Sequence, residues 1–179
     1  MYYYSNYYPY HNQVPNYHYV PQQSVYWPNP YGYRHAAEMG TGQGQFKDYG
    51  RNPFVINIED ATKQNQTFRT ALWTGENLQV TLMSIGVGED IGLEVHPDVD
   101  QFLRIEQGQG IVQMGDSEGN LTYEQAVSDD YAIMVPAGKW HNLTNTGNVP
   151  LKLYTIYAPP EHPFGTVHQT KAEAMAAEE

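Results

Sequence analysis

GEDIGLEVHPDVDQFLRIEQGQG, Gly88 to Gly110, sets charged and polar residues at fixed offsets inside what otherwise reads as a pair of β-strands. Alternate residues of a strand face the same side. Glu94 and His96 therefore point together if LEVH is extended, with Val95 turned toward an apolar layer. A turn, PDVD, follows, and Gln101 opens the next run, QFLRIEQG. A hairpin of that size brings Gln101 back beside His96. Far along the chain, VPAGKWHNLTN places His141 just after a Pro-Ala-Gly turn. Two imidazoles, a carboxylate and an amide oxygen are then able to converge. Neutral imidazole suits Zn, Fe, Cu and Ni, and carboxylate suits Mn and Zn as well. Two His and one Glu with open positions fit both the catalytic zinc and the non-haem iron patterns. Spacing alone leaves a second reading open, in which these residues are only the solvated face of a sheet.

Outward from this stretch, short apolar runs recur from Phe54 on: PFVINI, TFRTALW, LQVTLMSIGV, QFLRIEQG, GIVQMGD, LTYEQAV, YAIMVPAG, HNLTNTG and LKLYTIYAP. They are bounded by Gly, Asn, Asp or Pro and are rich in β-branched and aromatic residues. Many short strands at such spacing predict an all-β sandwich or barrel. GDSEGN and TNTGNVP are the hairpin or loop connections. Only TKAEAMAAEE, Thr170 to Glu179, reads as a helix, with Thr170 as N-cap and Glu173 three residues on. Gly108, Gly110 and Gly138 are expected at turns that require positive φ. Phe102 and Arg104 are expected on the strand face away from Gln101. Asp98 and Asp100 are expected to form the turn. One of Tyr154 and Tyr157 should face the interior. YAPPEHPFGTVHQTK, with three prolines, reads as a loop able to cross the barrel mouth, with His162 in it expected to be exposed.

The first 33 residues are of another kind. They hold 11 of the 16 tyrosines and 5 of the 12 prolines, with no Asp, Glu, Lys or Arg and no Leu or Ile. Such a segment has no aliphatic face for a core and is expected to be disordered in isolation. A tyrosine has an apolar ring and a polar tip, so many together suit multivalent contact with an assembly partner. A tail with no role fits the composition equally. The expected organisation is an arm over 1–33, a Gly-rich linker over 34–53, the β domain over 54–160, and a C-terminal loop with a short helix over 161–179.

The whole chain has 179 residues and a formal charge of −11, from 9 Lys and Arg against 20 Asp and Glu. Nucleic acid and anionic membranes need a basic surface, so neither is an expected partner. There is no cysteine, hence no disulfide framework and no thiolate chemistry. No apolar run approaches the ~20 residues of a membrane span. MYYYSNYYPY has neither the basic start nor the apolar centre of a signal peptide. A cytoplasmic location is the expectation, with a spore coat or cell envelope as the alternative. No serine or cysteine nucleophile motif and no phosphate-binding loop is visible.

The His-containing stretches resemble the two motifs of the cupin superfamily. The first family motif, G-(x)5-H-x-H-(x)3,4-E-(x)6-G, is matched in spacing by Gly88, Glu94, His96, Gln101 and Gly108. The second, G-(x)5-P-x-G-(x)2-H-(x)3-N, is matched by Asp130, Pro136, Gly138, His141 and Asn145. The resemblance covers about residues 54–160 and implies a double-stranded β-helix, or jelly roll. It also implies a divalent metal (Zn, Mn, Fe or Ni) held by Glu94, His96, Gln101 and His141, a small-molecule ligand or substrate, and a homodimer. Three departures matter: Glu94 stands where the family has His, Gln101 where it has Glu, and Asp130 where it has Gly. The first two compensate, since one carboxylate remains among four ligand positions. A neutral Gln oxygen is a weak fourth ligand, which favours an open coordination position and Lewis-acid chemistry.

Two functional readings follow. One is a metal-binding enzyme acting on a small polar substrate such as a sugar or carboxylic acid, by isomerase- or oxygenase-like chemistry. At domain level the chain looks like the cupin part of type II mannose-6-phosphate isomerases. The other is a metal-free barrel, a binding or structural module anchored through the tyrosine arm in a bacterial spore-coat or envelope assembly.

Overall fold

The computed structural model describes residues 46–177. The tyrosine-rich arm over 1–33 lies outside the described residues. In chain order the elements are α1 (Ile58–Gln64), β1 (Arg69–Thr74), β2 (Gln79–Ile85), β3 (Asp100–Gln107), β4 (Gln109–Gly115) and β5 (Tyr123–Ser128), then β6 (Ala132–Val135), β7 (Trp140–Asn145), β8 (Leu151–Ala158), β9 (Val167–His168) and α2 (Lys171–Ala177). A six-stranded sheet runs β6-β3-β8-β2-β1-β9 and a three-stranded sheet runs β5-β4-β7. All pairings are antiparallel. The two sheets share one apolar cluster, in which Leu103, Ile105 and Leu153 of the large sheet meet Val112, Val127 and Leu143 of the small one. This is the all-β architecture expected from the short-strand pattern, in the two-sheet jelly-roll form that the resemblance implies.

Strand register arranges the inward side chains of the large sheet in cross-strand rungs. Gln79, Tyr157, Gln101 and Val135 form the first, and Ala71, Thr81, Thr155, Leu103 and Ile133 the second. His168, Arg69, Met83, Leu153 and Ile105 form the third, and Ile85 and Leu151 the last. Apart from Arg69 and its partner His168, polarity falls from the first rung to the last. The apolar end is closed by α2, whose Ala174 is fully buried in the core and whose Met175 packs against it. At the start of that helix, the Thr170 hydroxyl accepts from the Glu173 backbone N–H at 3.2 Å, as the sequence predicts. The Glu173 carboxylate accepts from the Gln169 N–H at 2.6 Å.

Several expectations need correction. PFVINI is not a strand. Asn57 caps a helix instead, its side chain accepting from the Asp60 N–H at 3.3 Å, with Glu59 and Asp60 in the first turn. Glu59 and Lys63 add an i,i+4 ion pair at 2.5 Å. Among the described residues the C-terminal helix is therefore one of two. Residues after 160 also contribute β9, which pairs with β1. Phe46 and Tyr49, inside the expected linker, pack on the outer face of the large sheet with Leu72 and Leu82. Gly108 and Gly138 have φ of +94° and +78°, but Gly110 does not sit at a turn. It lies in β4, where a Cβ would stand 2.4 Å from the Thr144 carbonyl oxygen. Close approach of two strands, not φ, requires glycine there. Asp130, which replaces the motif's glycine, adopts a φ of 70°; Asp tolerates this left-handed region better than most residues.

Candidate metal centre

LEVH is extended only in part. Residues 88–96 run antiparallel beside β7 and are interrupted at Gly92, whose φ is +95°. Glu94 and His141 form an isolated β-bridge with both backbone bonds made, at 3.1 and 2.9 Å. Directly paired residues present their side chains on one face, and His96, two residues on, shares that face. The Gly138 N–H donates to the His96 carbonyl at 2.8 Å, and Asp100 accepts from the Ala137 N–H at 2.9 Å. The Pro-Ala-Gly turn is thereby tied to both ends of the PDVD turn.

Glu94, His96 and His141 come together as a group able to hold a metal ion. Glu94 Oε1 is 3.4 Å from His96 Nε2 and 3.3 Å from His141 Nε2. Both imidazoles are buried, and neither Nε2 has a hydrogen-bond partner. Their other nitrogens are engaged. His141 Nδ1 lies 3.0 Å from the Lys139 carbonyl oxygen, and His96 Nδ1 lies 3.1 Å from Glu161 Oε1. Carbonyl and carboxylate oxygens only accept, so each Nδ1 carries the proton. Each Nε2 then turns a lone pair toward the Glu94 oxygen. Three donor atoms gathered in a buried site could hold a cation. Donors about 2.0–2.2 Å from one tetrahedral ion stand about 3.3–3.6 Å apart, and the two Glu94–imidazole distances fall in that range.

The metal-free electrostatics show instead a carboxylate that draws positive charge to itself. Burial pushes the Glu94 carboxyl up, but the His141 and His96 imidazoles and the Arg69 charge outweigh it and hold the group at about 2. Burial lowers His96, yet Glu94 and Glu161 prevail and raise it. In the absence of a metal, a proton on His96 is the cation the site draws in.

Gln101 faces the interior beside Tyr157 and is 3% exposed, and neither atom of its amide has a hydrogen-bond partner. Phe102 and Arg104 alternate to the outer side. Tyr157 is the inward tyrosine, its ring edge-on to His96 at 5.6 Å. Burial and the nearby Glu94 raise its phenol above the usual range.

Two residues, Arg69 and Glu161, escaped the sequence reading, and a third, His162, was expected at the surface. Arg69, wholly buried on β1, brings Nη2 to 3.7 Å from Glu94 Oε2; inside a strand run it has no local signature. Glu161 and His162 sit in the proline-rich segment after β8. His162 is not exposed. Its ring packs edge-on against Tyr157 at 5.1 Å, and burial followed by the Arg69 charge lowers its pKa to about 3. Two surface grooves, one under residues 51–58 and one between β5 and β6, do not include the triad. Convergent donors, not surface concavity, mark the site.

Comparison with known proteins agrees with this architecture. Residues 81–157 match the family model described as "Cupin domain". The uncharacterized protein YrkC of Bacillus subtilis (strain 168) is 72% identical over 133 residues, which are 74% of this chain and 72% of that protein. The uncharacterized protein L612 of Acanthamoeba polyphaga mimivirus is 39% identical over 115 residues, covering 64% of this chain and 70% of its own length. The crystal structure of BH2720 from Bacillus halodurans is 68% identical with a TM-score of 0.72, covering 73% of this chain and 98% of that one. The chain belongs to the cupin superfamily. Among the described residues no helix is long and apolar enough to cross a membrane.

Proposed function

We propose that this protein is a metal-dependent cupin acting on a small polar molecule. The observation that carries the reading is the convergence of Glu94 Oε1 with the lone pairs of His96 Nε2 and His141 Nε2. These three residues would hold a divalent ion, with the Gln101 amide oxygen as a weak fourth donor. Bound there, the ion would polarise a substrate oxygen or activate water or dioxygen. The protein's own residues orient and enclose. Glu161 and the Lys139 carbonyl fix the two imidazole tautomers. Tyr157 and His162 close the interior beside them. Sugar and carboxylic acid substrates, isomerase- or oxygenase-like chemistry, and a homodimer belong to this proposal.

The test is elemental analysis of full-length protein purified without a histidine tag, with His96→Ala/His141→Ala beside it. About one equivalent of Zn, Mn, Fe or Ni in the wild type and none in the variant is expected. Wild-type protein that carries no metal and takes up none of these ions would sink the reading.

The composition of residues 1–33 favours a second role that is compatible with the first: a tyrosine-rich arm anchoring the barrel in an assembly such as a spore coat or envelope. Deleting the arm should then change location while metal content stays as it is.

A further inference from the structure

The sandwich is open along one side. β6 ends the large sheet and β5 ends the small one, and between these two edges lies a cavity of about 640 Å³. Pockets that take small ligands run from roughly 300 to 1,000 Å³. The floor of this one is the apolar core, at Val112, Val127 and Ile133. The two charged groups on its wall, Lys139 and Asp116, are paired with each other. A molecule seated there meets apolar surface and no uncompensated charge.

Strand register ties the cavity to the triad. Across the small sheet Glu94 is paired with His141, His141 with Met114, and Met114 with Tyr123. Directly paired residues present their side chains on one face. Tyr123, Met114 and the two donors therefore form one inward rung, and its outer members, Met114 and Tyr123, line the cavity. On the facing sheet Gln101 is paired with Val135, and the next residue, Pro136, lines the cavity as well. Along the rung only Met114 stands between the cavity and His141. It is partly buried, and its unbranched thioether chain adapts its shape to a neighbour. Adjacent strands lie about 4.8 Å apart, so the cavity begins roughly 5–10 Å from the imidazole.

We propose that the gap between β5 and β6 is the pocket for the apolar body of the substrate, whose oxygen-bearing head meets the metal beside His141. The inference rests on the metal reading above and narrows its substrate to a small amphipathic molecule, a polar head joined to an uncharged apolar body such as a ring. Met114 and Tyr123 contact that body, and Glu94, His96 and His141 hold the ion that takes the head.

The experiment is calorimetric titration of metal-loaded full-length protein with two probes, and metal content is measured on the same samples. Acetohydroxamate is a metal-binding head alone, and 3-phenylpropanohydroxamate carries the same head with a ring on a short tether. The phenyl compound is expected to bind about tenfold or more tighter, the scale of burying one ring. Gln125→Trp fills the cavity from an exposed position of β5. It should erase that advantage while acetohydroxamate binding and metal content stay as they are. Tyr123→Ala, also at an exposed position, should reduce the advantage several-fold and serves if the Gln125 variant does not fold. Equal binding of the two probes, binding of neither, or an advantage that a folded variant keeps in full overturns the pocket and leaves the metal reading standing. Protein that takes up no metal overturns both.

Discussion

At the scale of single residues, the site depends on groups that touch no donor atom. Under the proposed metal reading, Glu161 is a positioning residue for His96, 3.1 Å from its Nδ1. Losing the partner of a ligating imidazole typically costs about 10–100-fold in metal affinity. Glu161→Ala is expected to lose that much in a competition titration with a chelator, with an unchanged circular dichroism spectrum. Glu161→Gln, whose amide oxygen still accepts from Nδ1, should recover most of it. Gly110 answers to a different constraint. A methyl group there meets the Thr144 carbonyl at 2.4 Å, so Gly110→Ala should destabilise the protein by about 1–3 kcal/mol in urea unfolding. The group of Glu94, His96 and His141 was legible because its members fall on the two motif-like stretches; strand alternation alone left a solvated sheet face open. Arg69 and Glu161 were not. Their partners are distant in sequence, and only the closed barrel brings a lone arginine and a loop carboxylate to the triad.

At the scale of elements, the strands announced themselves and the first helix did not. β1 to β8 each fall within a run of short, bounded, β-branched residues. Helix α1 spans seven residues, too few for a 3.6-residue period to show, and its apolar neighbours Phe54 and Ile56 mimic strand alternation. Its start was readable only from the Asn57 cap. The C-terminal helix is structural. Ala174 and Met175 cover the apolar end of the barrel, and Lys171 pairs with Asp90 at 2.7 Å. Removing residues 167–179 takes away that cover and the partner of β1. A loss of about 2 kcal/mol or more is expected, with increased binding of a hydrophobic dye as the check.

At the scale of the whole molecule, protons and metal compete for the same centre, and stability should record it. Without metal, His96 in the folded chain binds its proton above the ordinary 6.5. Between that raised value and 6.5 the native state holds the extra proton, so stability rises as pH falls. Below 6.5 the sign reverses. His162 stays neutral in the fold down to about 3 while its unfolded counterpart protonates, and Glu94 adds the same trend between 4.5 and about 2. The metal-free protein should be most stable near pH 6.5 in thermal melts. Loaded protein should not show the rise on approaching 6.5 from above, because ligation keeps His96 free of its proton.

The segment after β8 is held, besides its side-chain contacts, by a grip on its main chain. The Gln79 amide accepts from the His162 N–H and donates to the His162 carbonyl, both at 2.9 Å. Because those bonds go to main chain, the path of the segment is independent of what residues 161 and 162 carry outward or inward. Positions 161 and 162 thus form a socket in which side chains can be exchanged while the backbone stays in place, the property required of a site where one scaffold is retuned for new ligands.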